Sequence, residues 1–271
     1  MKRIQLFEFE DYRQLPSSIR STMTKLIVVL QKGLKIPELI SDLLAKVHQQ
    51  HPFTQIVDLG SGSGGVMPEA VQHFNTQRSD SPVPLRLTDL YPDVNFVDQF
   101  NKQQHPNQTY LTTPVDATDL SNSPKGLKTL FNSFHHMPPN AARTILQNAQ
   151  THLEPILIYE MAENTIPLFL WWLLLPLSLL ILMVMTLFML PFVKPLGLKD
   201  ILFTYLIPIV PICYAWDGQA SLPRMYTFSD IEKELLPKPV SNYHWEMEPV
   251  RKKNGKKSGY YLLGLPISDK K

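Results

Sequence analysis

Over its first 160 residues the chain alternates short apolar runs with longer segments whose apolar positions recur every three or four residues. The runs "TQIVDL", "PLRLTDLYP", "TYLTTPVDATD", "GLKTLFNSFHHMPP" and "EPILIYEMAEN" each predict a strand, the first so continuously apolar that both its faces should be buried. The intervening segments predict helices, among them one with Pro68 near its start and one capped near Asn140. Ahead of the first strand, residues 1–50 read as helical. A helix begins at Pro16, with Ser17 and Ser18 as cap candidates, and ends at Gly33. The next carries Ile36, Leu39, Ile40, Leu43, Leu44 and Val47 on one stripe. Beyond residue 215, "TFSDIEKELLP" predicts a helix, and two alternating strands surround Asn254-Gly255, a strong hairpin signal. The expected fold is α/β: a Rossmann-like seven-stranded sheet, mostly parallel, whose last strand runs antiparallel.

One stretch breaks this rhythm. Between Asn164 and Lys194 no residue is charged, and a second apolar run spans 201–216, interrupted by Pro208 and Pro211. About 20 apolar residues suffice to cross a bilayer. Trp171 and Trp172 are of the interfacial type, although such a pair also fits a buried core. Both flanks of this insertion belong to one sheet, so the chain must leave and return on the same side. The expectation is a membrane-embedded helical hairpin over 165–215, either crossing twice or re-entrant, and in contact with membrane lipids. A soluble apolar lid or dimer arm is the other reading. The remaining division is N-terminal helices over 1–50, covering the ligand edge of the sheet, and an α/β domain made of 51–164 and 216–271.

Composition narrows the classes. At 271 residues there is room for one large α/β domain with an insertion. Lys and Arg total 26 against 24 Asp and Glu, not the basic excess of a chain built to grip nucleic acid. A lone cysteine, Cys213, supports neither a disulfide framework nor a thiolate metal site, and no metal is expected. The opening "MKRIQLFEFEDYR" has acidic residues where a signal peptide needs an apolar core, so the catalytic part is expected to face the cytoplasm.

The chemistry concentrates after the first strand. Gly60-Ser61-Gly62-Ser63-Gly64-Gly65 satisfies the dinucleotide fingerprint and also the denser G-x-G-x-G. Such a loop lets the backbone approach a ligand closely, at the sheet edge where open α/β folds bind ligands. Asp89, ending the second strand, suits a ribose, and Asp116, after the third, suits an exocyclic amine. Asp58 lies two residues before the first glycine. A carboxylate there suits a ligand bearing an ammonium and a sulfonium better than a pyrophosphate. With "VDLGSGSGG", "LTDLYP", "VDATDL", "LFNSFHHM" and the closing hairpin, the chain resembles the class I S-adenosylmethionine-dependent methyltransferases. The resemblance implies that Asp58, Gly60, Gly62 and Gly64 hold the methionine part of S-adenosylmethionine. It places Asp89 on the ribose and Asp116 with Ala117 on the adenine. Ser61, Leu90 and Asn132 complete the implied cofactor set.

His135 and His136 follow the fourth strand, in the region that the resemblance turns toward the methyl acceptor. A histidine there can take a proton from an attacking hydroxyl, or it can merely pack. Glu160, ending the fifth strand, is a candidate for the pocket wall or else a solvated loop carboxylate. Asp217, Arg224 and Tyr226, on the return from the insertion, are candidates for the substrate rim or for a structural turn with a salt bridge. The turn "RKKNGKK" is expected at the same sheet edge, where it can face anionic head groups. The expected activity is methyl transfer from S-adenosylmethionine to a hydrophobic, lipid-like acceptor at a membrane, first of all to an oxygen. A non-catalytic membrane protein keeping the fold and a nicotinamide-dependent oxidoreductase are the alternatives.

Overall fold

A computed structural model describes residues 3–12, 14–76, 78 and 81–267. Residues 1, 2 and 13 of the opening segment lie outside the described residues. The chain divides into two compact units, one made of Ile36–Ala162 with Phe228–Lys271 and the other of Met1–Lys35 with Glu163–Thr227. Residues 1–35, 163–164 and 216–227 group with the apolar insertion, and residues 36–50 group with the sheet.

The first unit is the expected α/β sheet. In chain order it contains α2 (Ile36–Gln50), β1 (Ile56–Asp58), α3 (Met67–Thr76), β2 (Leu85–Leu87), α4 (Val94–Lys102), β3 (Gln108–Tyr110), β4 (Leu127–Phe131), α5 (Pro139–Thr151) and β5 (Ile156–Glu160). After the excursion into the second unit come a helical segment starting at Phe228, then β6 (Tyr243–Arg251) and β7 (Lys257–Pro266). The sheet order is β3-β2-β1-β4-β5-β7-β6. Strands β1 to β5 pair in parallel, while β7 lies antiparallel to β5 and to β6. The reversed strand is therefore β7 alone, as the Asn254-Gly255 hairpin predicts. Ile56, Val57, Leu127, Leu130 and the whole of β5 are buried, which accounts for their unbroken apolar pattern. The stripe of α2, including Ile40, Leu44 and Val47, is buried as well.

The second unit is helical. It contains α1 (Ser17–Gly33), α6 (Leu168–Met189), the short α7 (Leu198–Ile201) and α8 (Ile209–Arg224). Ile19, Met23 and Leu26 of α1 bury against Met189, Leu190 and Val193 at the end of α6 and against Val210, Cys213 and Tyr214 of α8. This packing is why α1 goes with the insertion: its apolar stripe is matched there. A polar clasp adds to it, since Asp200 accepts from Thr22 Oγ1 at 2.6 Å and from Lys25 Nζ at 2.9 Å. The segment Leu168–Phe192 is long and apolar enough to cross a membrane. The pair Leu198–Leu206 and Ile209–Arg224 reaches that criterion only as one span bent by 80°. Along α6, Phe169, Leu173, Leu177, Leu180, Ile181 and Phe188 are exposed, so its apolar surface is largely uncovered by this chain.

Candidate functional site

The parallel order brings the carboxyl ends of β1, β2, β4 and β5 to one edge of the sheet. The glycine loop leaves β1 there. Gly60, Gly62, Gly64 and Gly65 all have positive φ, from 50° to 80°, a backbone region closed to most side chains. Hydrogen bonds pin this bare backbone from three sides. Ser61 N donates to Thr88 O at 2.8 Å, Gly64 N donates to Ser61 O at 2.7 Å, and Tyr110 Oη donates to Gly62 O at 2.8 Å.

Asp58 sits beneath the loop and is buried. Its Oδ2 accepts from Ser61 Oγ at 2.6 Å, and its Oδ1 accepts from Thr129 Oγ1 at 2.7 Å. Burial pushes its pKa up to about 7; the two hydroxyl donors oppose that shift and the nearby Asp89 adds to it. Asp89 accepts from Gly62 N at 2.9 Å through Oδ2 and from Tyr91 N at 2.8 Å through Oδ1. Each carboxylate oxygen has a second lone pair, so the group can still accept from two hydroxyls of a diol. Leu90 beside it is exposed. Asp116 is not directly behind the third strand: β3 ends at Tyr110, and Asp116 lies in the loop six residues on. There its Oδ1 accepts from Thr118 N at 2.8 Å and Oγ1 at 2.7 Å, and Ala117 is buried beside it.

At the end of β4, Asn132 adopts φ 52° and links two strands. Its N donates to Tyr159 O and its Oδ1 accepts from Met161 N, both at 2.8 Å. Ser133 follows. Its Oγ is buried without a hydrogen-bond partner among the described residues, and a Cβ placed on Gly60 would lie 4.0 Å from it. A buried hydroxyl left unsatisfied beside a bare loop is what a missing ligand leaves behind. Sequence reasoning passed over Ser133 because a serine between Asn132 and the histidines has no distinguishing pattern.

His135 is buried and doubly held by Glu160. His135 N donates to Oε1 at 3.0 Å, and Nδ1 lies 2.9 Å from Oε2. Glu160 has no exposed surface, so the alternative of a solvated loop carboxylate does not hold. Strand β7 passes close to its backbone: Gly259 has φ 81°, and a Cβ on it would fall 1.9 Å from Glu160 O. The His136 ring lies beside that of His135, with centroids 4.3 Å apart.

Asp217, Arg224 and Tyr226 belong to the helical unit. Asp217 accepts from Phe9 N at 2.7 Å and Glu10 N at 3.0 Å. Arg224 Nη1 meets Asp11 Oδ2 at 2.7 Å and Glu8 Oε2 at 3.2 Å, and the Arg3 guanidinium lies over the Tyr226 ring at 4.4 Å. These contacts fasten the N-terminal segment to α8 and the residues that follow it.

No family model matches the chain, and no curated protein matches its sequence. Solved structures do match its fold. The plantazolicin methyltransferase BpumL in complex with SAH aligns with a TM-score of 0.50 at 11% identity, over 93% of this chain and 98% of that one. A putative O-methyltransferase from Nostoc punctiforme gives a TM-score of 0.47 at 12% identity, over 97% of this chain and 64% of that one. An O-methyltransferase family protein from Burkholderia thailandensis gives 0.45 at 11%, over 90% and 58%. The first of these likenesses, with the strand order and the reversed β7, gives the chain the methyltransferase fold.

Proposed function

We propose that the protein is a membrane-associated methyltransferase that uses S-adenosylmethionine and methylates an oxygen of a hydrophobic, lipid-like acceptor. The observation that carries this reading is the His135–Glu160 pair, set at the same sheet edge as the glycine loop, Asp58 and Asp89. The residues fit the cofactor. Asp89 would hold the ribose, and the backbone of Gly60 to Gly64 with Ser61 and Asp58 the amino-acid part. Leu90, Asp116 and Ala117 would flank the adenine, and Asn132 would shape the wall from which the unsatisfied Ser133 Oγ points. That BpumL is bound to SAH supports the same assignment.

When bound, S-adenosylmethionine supplies a methyl group made electrophilic by its sulfonium. The chain's part is positioning and proton handling. The Glu160 carboxylate on Nδ1 fixes the orientation of the His135 ring. The imidazole would take the proton of an acceptor hydroxyl as the oxygen attacks, with the Glu160 carboxylate stabilising the imidazolium formed. Burial of both groups keeps bulk water from competing for the proton. His136, whose ring lies beside that of His135, is proposed on the acceptor's path.

The membrane reading is supported by the uncovered apolar face of α6. A row of exposed leucines and phenylalanines of this length is poorly tolerated in water. The test of the whole reading is transfer of label. Membranes containing the protein, given methyl-labelled S-adenosylmethionine, should pass label into the organic-soluble fraction, and His135→Gln membranes should not. Equal labelling in membranes lacking the chain would overturn it.

A further inference from the structure

The β6–β7 turn concentrates charge at one point. Arg251, Lys252, Lys253, Lys256 and Lys257 fall within seven residues that include no acid. The turn is tightly built: Gly255 N donates to Lys252 O at 2.8 Å, Lys252 N to Lys256 O at 2.9 Å, and Lys256 N to Asn254 Oδ1 at 3.1 Å. Arg251 Nη1 braces Gly255 O at 3.1 Å. The hairpin is therefore a rigid platform, with Arg251, Lys253 and Lys256 exposed on it. Lys253 reaches Asp42 only at 3.9 Å with both groups well exposed, a pair too solvated to hold it.

Register places this platform. Tyr260 of β7 pairs with Glu160 on one side and with Pro249 of β6 on the other. The tip thus projects from the sheet edge that carries Glu160, His135 and the glycine loop. Both connections to the apolar helical unit leave from that edge too. The outgoing chain departs after Ala162, two residues beyond Glu160. The returning chain re-enters at Phe228, whose ring packs on Tyr260 with centroids 5.4 Å apart. A cationic tip and both tethers of an uncharged 30-residue stretch, residues 164–193, therefore share one edge of one rigid sheet.

We propose that this hairpin is a docking surface for anionic phospholipid head groups. It lays the catalytic edge of the sheet against the bilayer that holds α6. The proposal rests on the membrane reading of α6. Lipid is the occupant because the tethers deliver an apolar segment to the same edge, whereas the near balance of acidic and basic residues over the whole chain gives no wider basic surface for nucleic acid.

The test uses the full chain with a fluorophore at Asn254→Cys in a Cys213→Ser background. The protein is placed in nanodiscs of phosphatidylcholine alone or with phosphatidylglycerol, and a quencher is carried on a lipid head group. Quenching should be several-fold stronger in the anionic discs and should fall away at about 1 M salt, where the screening length is about 3 Å. The triple variant Arg251→Gln, Lys253→Gln, Lys256→Gln should stay in the discs but lose the difference between lipids. Incorporation with equal quenching in both lipids would overturn the hairpin proposal and leave the membrane reading standing. Failure of the wild type to enter discs would overturn the membrane reading and this proposal with it. A short RNA bound through the same three residues, with no response to lipid, would assign the hairpin to nucleic acid and overturn the proposal.

Discussion

His135 and Glu160 are bonded twice, backbone N to Oε1 at 3.0 Å and ring Nδ1 to Oε2 at 2.9 Å, across the ends of two neighbouring parallel strands. One carboxylate thereby fixes both the position of the residue and the orientation of its ring. In the proposed mechanism Glu160 acts through His135 as a positioning residue: Glu160→Gln would preserve the shape but remove the charge opposite the imidazole, and His135→Gln would remove the proposed base. Each should lower turnover by about 100-fold or more while affinity for S-adenosylmethionine stays unchanged. The double variant should be little worse than either alone, because the pair works as a unit. The Glu160→Gln pH–rate profile should also shift, which a purely structural role would not produce. Wild-type turnover in both single variants would show that catalysis is by positioning of the reactants alone.

Much of this site was legible in the sequence. The glycine loop was, because four glycines in six residues have few other uses, and Asp58 and Asp89 were, because an apolar run marks where a strand ends. The Glu160 pairing was not. It depends on β4 and β5 lying side by side in the sheet, a long-range pairing with no local pattern. Nor was the allegiance of α1. Its stripe of Ile19, Met23 and Leu26 is that of any amphipathic helix, and nothing nearby says that α6 and α8, rather than α2, will cover it. Strands β2 and β3 are each three residues, shorter than their apolar runs suggest, which is why Asp116 lies further along its loop.

Asp58 gives a pH signature. Its pKa in the folded chain is pushed up to about 7, from the ordinary 3.8. Between those values the folded chain holds a proton that the unfolded chain has lost. This group therefore subtracts stability as pH rises through that window, and the cost is fully present above about pH 7. A ligand ammonium beside Asp58 favours the carboxylate. Binding of S-adenosylmethionine should therefore release a proton near pH 7 and strengthen as pH rises from 6 to 8. Calorimetry in buffers of different ionisation enthalpy measures that proton, and Asp58→Asn should abolish it. A pH-independent affinity would separate Asp58 from the ligand.

Lys128 and Glu154 give a stability signature. Lys128 lies wholly buried in β4, with Nζ 3.3 Å from Glu154 Oε2 and a further bond to Pro124 O. Burial lowers its pKa, and Glu154 opposes that shift. Glu154→Gln leaves the ammonium without its counter-charge and should cost about 3–5 kcal/mol in denaturant unfolding. Replacing both, Lys128→Met with Glu154→Leu, should recover most of that loss. A single variant as stable as the wild type would mean that solvent reaches the pair.

The two units should separate in their behaviour. Excising 165–215 alone would strip Ile19, Met23 and Leu26 of the residues that bury them. The informative excision removes residues 1–35 and bridges 163–227 with a short Gly/Ser link. The remaining sheet unit should be recovered without detergent and should lose activity on the proposed apolar acceptor. The intact protein should stay with membranes through a high-salt wash, because apolar burial is not screened. Its recovery in the salt supernatant would favour a soluble apolar lid.

The central claim, that this edge of the sheet binds S-adenosylmethionine, is tested most directly by titrating the purified full chain with S-adenosylhomocysteine and with NAD. Saturable heat is expected with S-adenosylhomocysteine and none with NAD. Asp89→Ala should weaken the first by about 2–4 kcal/mol with the fold intact, since that carboxylate is proposed to make charge-assisted bonds to the ribose. Saturable binding of NAD with no response to S-adenosylhomocysteine, or an Asp89→Ala titration indistinguishable from wild type, would contradict it.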